Sequence, residues 1–136
     1  MITVLDLAKL ARNMAGPLAD ETRLRCAIGR AYYSAFHNCG QAANRWCGNL
    51  TPDEKKNKGS HEQLYFRLEN HSSHKQMDEE LSILAEEAKK LRNYRVKSDY
   101  ELTDTIIRKD VDRSFAYMQN VQKSFDKLSM LDALNK

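Results

Sequence analysis

Cysteine, proline and glycine are all scarce in this 136-residue chain, at three, two and five residues. The cysteines (Cys26, Cys39 and Cys47) are odd in number and show no CxxC spacing. That excludes a disulfide scaffold or a zinc module and points to reduced thiols. Both prolines fall where the pattern reads as a turn, and no internal repeat or low-complexity run is present. No apolar run reaches the 18 or so residues of a membrane span. Asp6, Lys9 and Arg12 interrupt the opening residues, so they do not form the apolar core of a signal peptide. The expectation is a soluble, cytoplasmic protein. The formal net charge of +3 is too small to argue for nucleic acid on its own, because phosphate binding needs a clustered basic surface. Also missing are a Gly-rich phosphate loop, a GxSxG elbow and an HExxH pair. No segment sustains period-two alternation, which excludes a sheet protein.

What is present is helical periodicity throughout. Thr3 and Asp6 open a first helix with Leu7, Leu10, Ala11 and Met14 on one face, stopped by Gly16-Pro17. Asp20 caps a second helix running to about Gly48, with Leu24, Ala27, Ile28, Ala31, Ala35, Ala42 and Trp46 as its stripe. The small residues allow a neighbouring helix to approach closely. Phe36, Gly29 and Tyr33 make its other side apolar too, so it should be central or covered by a second subunit. Gly48 to Ser60 is a long polar connection with room for a helical turn after Thr51-Pro52. Ser60 with Gln63, and Ser73 with Gln76, resemble capping boxes for a third and a fourth helix, the latter ending near Tyr100. Thr103 or Asp104 should cap a fifth, with Ile107, Val111, Met118, Val121, Phe125, Leu128 and Leu131 facing inward. The fold class is therefore all-α: a single domain over residues 1–136, built as an up-and-down bundle of four to five helices.

One helix carries charge where it should be apolar. Met77, Leu81, Leu84, Ala88 and Leu91 recur at spacings of four, three, four and three. At roughly 100° per residue, Arg95 falls in the middle of that stripe, with Arg92 and Asp99 on its edge. A guanidinium on a buried face needs a partner, and Asp99 lies four residues on, within reach. Two readings stand: a structural ion pair, or a site in a cleft or at a subunit interface. In the second helix, Arg23, Cys26, Arg30, Tyr33 and His37 follow at helical spacing beside the apolar stripe, so Arg30, Tyr33 and His37 could line one groove.

Other signals are weaker. His71 and His74 have a spacing a metal could use but lack further ligands, so no metal site is expected and no cofactor is implied. Lys55, Lys56 and Lys58 form a small basic loop that could touch a phosphate backbone or simply be solvated.

The stretch from Arg30 to His37, RAYYSAFH, resembles the second helix of HEPN-domain proteins, and LRNYRVKSDY, Leu91 to Tyr100, resembles a later HEPN helix. The two motifs occur in order, and the resemblance covers the chain from about Asp20 to Phe125. It implies a compact bundle of four to five helices forming a symmetric homodimer. Active relatives are metal-independent ribonucleases of toxin–antitoxin, CRISPR and antiviral systems. Their signature is an Arg, often followed by Asn, and a His four to six residues later. The histidine moves a proton as the 2′-hydroxyl attacks the adjacent phosphate, and the arginine stabilises charge on its oxygens. Here Arg92 and Asn93 match, but Lys97, Ser98 and Asp99 occupy the window for the histidine, and none follows His74. Tyr100 stands in a setting similar to the tyrosine AMPylated in some HEPN toxins by a partner nucleotidyltransferase.

The leading expectation is thus a non-catalytic module binding RNA, a nucleotide or a nucleotidyltransferase-type partner in a prokaryotic toxin–antitoxin or defence setting. Its contact residues would be Arg30, Tyr33, His37, Arg92, Arg95, Lys97, Asp99 and Tyr100. The alternative is a ribonuclease with a degenerate site built on Arg92 and Asn93.

Overall fold

A computed structural model describes residues 1–135. Six α-helices make up the described chain: α1 (Val4–Met14), α2 (Glu21–Trp46), α3 (Pro52–Lys55), α4 (Ser60–Asn70), α5 (Asp78–Tyr100) and α6 (Arg108–Leu134). No strand occurs among the described residues; an isolated bridge joins Cys47 to Ser72. None of the described helices is long and apolar enough to cross a membrane.

The three long helices α2, α5 and α6 pack on one another and form the frame. At 26 residues, α2 extends about 39 Å, the length of the molecule's core. Its expected stripe is buried throughout, and Ala27, Ala31, Ala35 and Ala42 are fully covered. Small side chains there bring the neighbouring backbones close enough for α5 and α6 both to touch α2. Shorter α1 lies on α2, and α4 packs against both α2 and α5. Met77, in the turn before α5, and Leu81, Leu84, Ala88 and Leu91 of α5 are all buried, so the spacing that singled out this helix is a core stripe.

The structure keeps some expected helix ends and moves others. Thr3 and Asp6 form a reciprocal box at α1, and Asp20 accepts the Arg23 N–H at α2. Thr51 and Glu54 cap the single turn of α3, which is the helix beyond the expected five. Ser60 is instead the first residue of α4: Gly59 precedes it, and Gln63 Nε2 donates to the Lys58 carbonyl. Ser73 does not open α5 either. Its N–H donates to the Trp46 carbonyl, tying the α4–α5 connection to the end of α2, and a 3₁₀ turn at Lys75–Met77 leads into Asp78. Thr103 and Asp104 belong to a turn; α6 starts at Arg108, where the Asp110 carboxylate accepts the Ile107 N–H. Ile107 and Leu10, both assigned inward, are exposed.

A second, smaller core of Leu24, Ala27, Ile28, Ile106 and Val111 lies beside the main one. It anchors the segment between α5 and α6, which fixes where α5 ends and hence where its last two turns stand against α2.

Candidate functional site

Arg95 stands on the buried stripe of α5, but its head emerges among rings. Its Cζ lies 5.8 Å from the ring centres of Tyr32 and Tyr33 on α2, and 5.3 Å from that of Tyr100. Cations within about 6 Å of a ring face are attracted by its quadrupole. Arg95 Nε is 2.9 Å from Asp99 Oδ2, but the N–H is not directed at that oxygen and makes no hydrogen bond. Charge rather than a directed bond therefore holds the pair. The side chain of Arg95 is 13% exposed and that of Asp99 35%. Burial opposes the Arg95 charge, but Tyr100, Asp99 and Tyr33 outweigh it and hold the guanidinium ionised. Tyr100 itself is exposed, with its hydroxyl 3.4 Å from Arg95 Nη2.

Behind this cluster runs a chain of three polar side chains that periodicity does not reveal. The Tyr32 hydroxyl is 2.6 Å from the Tyr65 hydroxyl and 2.5 Å from His61 Nδ1. Tyr32 and Tyr65 are buried, while His61, in the first turn of α4, is half-buried and stacks on Tyr32 with 5.6 Å between ring centres. Burial pushes the Tyr32 phenol up to about 12, and pushes Tyr65 further in the same direction. For His61, burial first, and then the charges of Arg92 and Arg95, hold the pKa below its usual value. The imidazole is therefore neutral at pH 7. One ordering of protons strands none of them: Tyr65 donates to Tyr32, which donates to His61 Nδ1. His61 then carries its proton on Nε2 and presents a donor, with no acceptor nitrogen left over.

Arg92, one turn before Arg95, is near the same Tyr32–His61 chain and also lines a groove between α4 and α5. This cavity of about 380 Å³ is lined by Glu62, Tyr65, Phe66 and Glu69 from α4 and by Lys89, Arg92 and Asn93 from α5. Lys89 and Glu69 form an ion pair across it. Arg92 makes no hydrogen bond or ion pair with any described residue, although its Nε is sealed from solvent. An unsatisfied buried donor costs about 1–3 kcal/mol. The two Nη groups of Arg92 are not sealed and make no bond to any described residue, so they are what the groove offers to a ligand.

Of the expected contact residues, Tyr33, Arg95, Asp99 and Tyr100 converge, and Arg92 and Asn93 share the adjacent groove. Arg30, Tyr33 and His37 do not line one groove. Arg30 is exposed, whereas His37 contacts Phe36 edge-on at 6.1 Å and lines a separate cavity beside residues 1–5. Only Tyr33 of the three meets Arg95. Lys97 contributes its carbonyl, which accepts from Arg25. That arginine is the largest omission of the sequence reading. Arg25 also donates to the carbonyls of Ser98, Glu101 and Asp104 and pairs with Glu21 at 3.2 Å. It thus ties the end of α5 and the turn after it to α2, adding to the backbone bonds that the Lys97 and Glu101 carbonyls already accept. His71 pairs with Glu54 at 2.7 Å and not with His74, and no group of metal-ligating side chains forms among the described residues. The loop lysines are partly engaged: Lys56 pairs with Asp53 at 3.3 Å, and Lys58 lies 4.5 Å over the Phe66 ring.

Comparison with family models, curated proteins and solved structures gives no match.

Proposed function

We propose that this chain is a HEPN-like helical module that binds a nucleotide-bearing ligand, either RNA or a nucleotide held by a partner protein, without cutting it. The observation that carries this reading is Arg92: a guanidinium with every donor unused, on the wall of an open groove, next to Asn93. Folding leaves the sealed Nε without a partner among the described residues, which stability alone does not favour, while the open Nη fork stays free for a ligand's acceptors. Arg95 and Asp99 support the site from behind by fixing the last turns of α5. A homodimer in a prokaryotic toxin–antitoxin or defence setting belongs to the same proposal and rests on the resemblance of RAYYSAFH and LRNYRVKSDY.

A second reading, the metal-independent ribonuclease, gains one observation: His61 sits within the electrostatic reach of Arg92 and Arg95 and could replace the missing histidine from another helix. Its occupied Nδ1 and lowered pKa weigh against a role as general base, since a base needs a free lone pair and a pKa near the working pH. The test is incubation of purified protein with total RNA in EDTA, followed on a denaturing gel, beside Arg92→Ala. Uncut RNA supports the binding module; cutting that Arg92→Ala and His61→Gln both abolish would replace it with the ribonuclease.

A further inference from the structure

The walls of the α4–α5 groove differ from those of a simple phosphate cleft. Its two basic residues, Lys89 and Arg92, face two carboxylates, Glu62 and Glu69. Lys89 and Glu69 neutralise each other. What remains for a ligand is one fork of donors on Arg92, one acceptor pair on the exposed Glu62, the Asn93 amide and the Tyr65 and Phe66 rings. A phosphodiester offers acceptors and negative charge alone, so it would satisfy Arg92 and be repelled by Glu62. A flat ligand with two neighbouring acceptors on one edge and two neighbouring donors on another would satisfy both.

Guanine is that ligand among the nucleobases. Its O6 and N7 accept from an arginine in bidentate fashion. Its N1–H and N2–H₂ form a donor pair matched to the two oxygens of a carboxylate. Adenine pairs one donor group with isolated acceptors, and the pyrimidines present shorter edges. At about 380 Å³ the groove lies near the lower end of the roughly 300–1,000 Å³ typical of small-molecule clefts, a size for a base and not for a folded segment. Three larger cavities, about 620, 600 and 430 Å³, hold no equivalent. In the first, Arg45 already lies over Trp46 and Phe125, the second has no arginine, and in the third Arg23 donates its Nε–H to the Met14 carbonyl and no carboxylate lines the wall.

We propose that the α4–α5 groove is a guanine site, in which Arg92 reads the O6/N7 edge and Glu62 reads the N1/N2 edge. This rests on the nucleotide-binding reading above and names its ligand. Isothermal titration with GMP, AMP, CMP, UMP and inorganic phosphate tests it, using the wild type, Arg92→Met and Glu62→Gln. GMP is expected to bind at least about tenfold more tightly than the other nucleotides, the discrimination a bidentate pair supplies. Arg92→Met should abolish GMP binding, and Glu62→Gln should bring the GMP/AMP ratio to within about threefold. Equal affinity for all four nucleotides, or a preference that Glu62→Gln leaves intact, overturns the guanine assignment. Absence of any mononucleotide binding overturns it as well. Retention of labelled single-stranded RNA by the same preparation then decides whether the nucleotide-binding reading survives or falls with it.

Discussion

Tyr32→Phe removes one oxygen from the middle of a buried chain, and the structure fixes what should follow. The Tyr32 hydroxyl bridges Tyr65 at 2.6 Å and His61 at 2.5 Å, with Tyr32 wholly buried and Tyr65 2% exposed. Without that oxygen the Tyr65 proton has no acceptor and no water to turn to. A stranded buried donor costs about 1–3 kcal/mol, whereas the half-exposed His61 nitrogen can hydrate at little cost. Tyr32→Phe should therefore destabilise by about 2–3 kcal/mol. Tyr65→Phe should cost less, about 0.5–1.5 kcal/mol, because Tyr32 keeps His61 as its acceptor. In the double variant no proton is stranded, so its loss should fall short of the sum of the two by about 1–2 kcal/mol. At 136 residues, each kcal/mol moves the melting temperature by roughly 3–5 °C, well within reach of circular dichroism during urea or thermal unfolding. A Tyr32→Phe protein within about 0.5 kcal/mol of wild type, or strict additivity of the pair, would refute the assigned order of donors.

Three further outcomes follow from the same contacts. Arg25→Met should cost about 2–3 kcal/mol in urea unfolding, the scale of losing charged hydrogen bonds to carbonyls at the end of α5; a neutral result would mean those carbonyls hydrate freely. Arg95→Ala should cost about 1–3 kcal/mol, below the roughly 3–5 kcal/mol of a fully buried pair, because Asp99 is 35% exposed and the rings supply much of the attraction. A loss above that range, measured the same way, would mean the pair is shielded more completely than its exposure indicates. Because the His61 pKa is lowered in the folded state, the unfolded chain takes up that proton more readily. The stability His61 contributes is whole above its ordinary value of 6.5 and is lost as pH falls below it. Urea midpoints against pH should decline less steeply below 6.5 in His61→Gln than in wild type; parallel curves would contradict the shift.

Much of this fold is legible in the sequence because its helices obey one rule: small or apolar residues at helical spacing face the core. The apolar residues that the spacing names on α2 and α5 are all buried, although Tyr32, Cys39 and Ala43 of α2 and Ala85 of α5 are buried beside them. Helix starts were harder. Ser60 and Ser73 sit three residues before glutamines, but the chain entering each helix is held by other bonds, such as the Ser73 N–H on the Trp46 carbonyl. Capping chemistry is local, and such a contact between distant segments overrides it. Arg95 with Asp99 could be found because both lie on one helix at i and i+4. Tyr32, His61 and Tyr65 could not, since they join two helices and no spacing relates them. Arg25 hid for the same reason, its carbonyl partners lying more than 70 residues away.

The reading of Arg92 as a ligand-binding residue is tested most directly by pairing one binding curve with one stability curve for Arg92→Met. Since the wild-type guanidinium is unpaired and partly sealed, the variant should fold with equal or greater stability, by up to about 1–3 kcal/mol. Fluorescence anisotropy with labelled single-stranded RNA should show binding by the wild type, loss of at least about tenfold in affinity in the variant, and RNA recovered intact from both. Unchanged affinity, or a variant that loses both stability and binding, would make Arg92 a structural residue and remove the basis of the site.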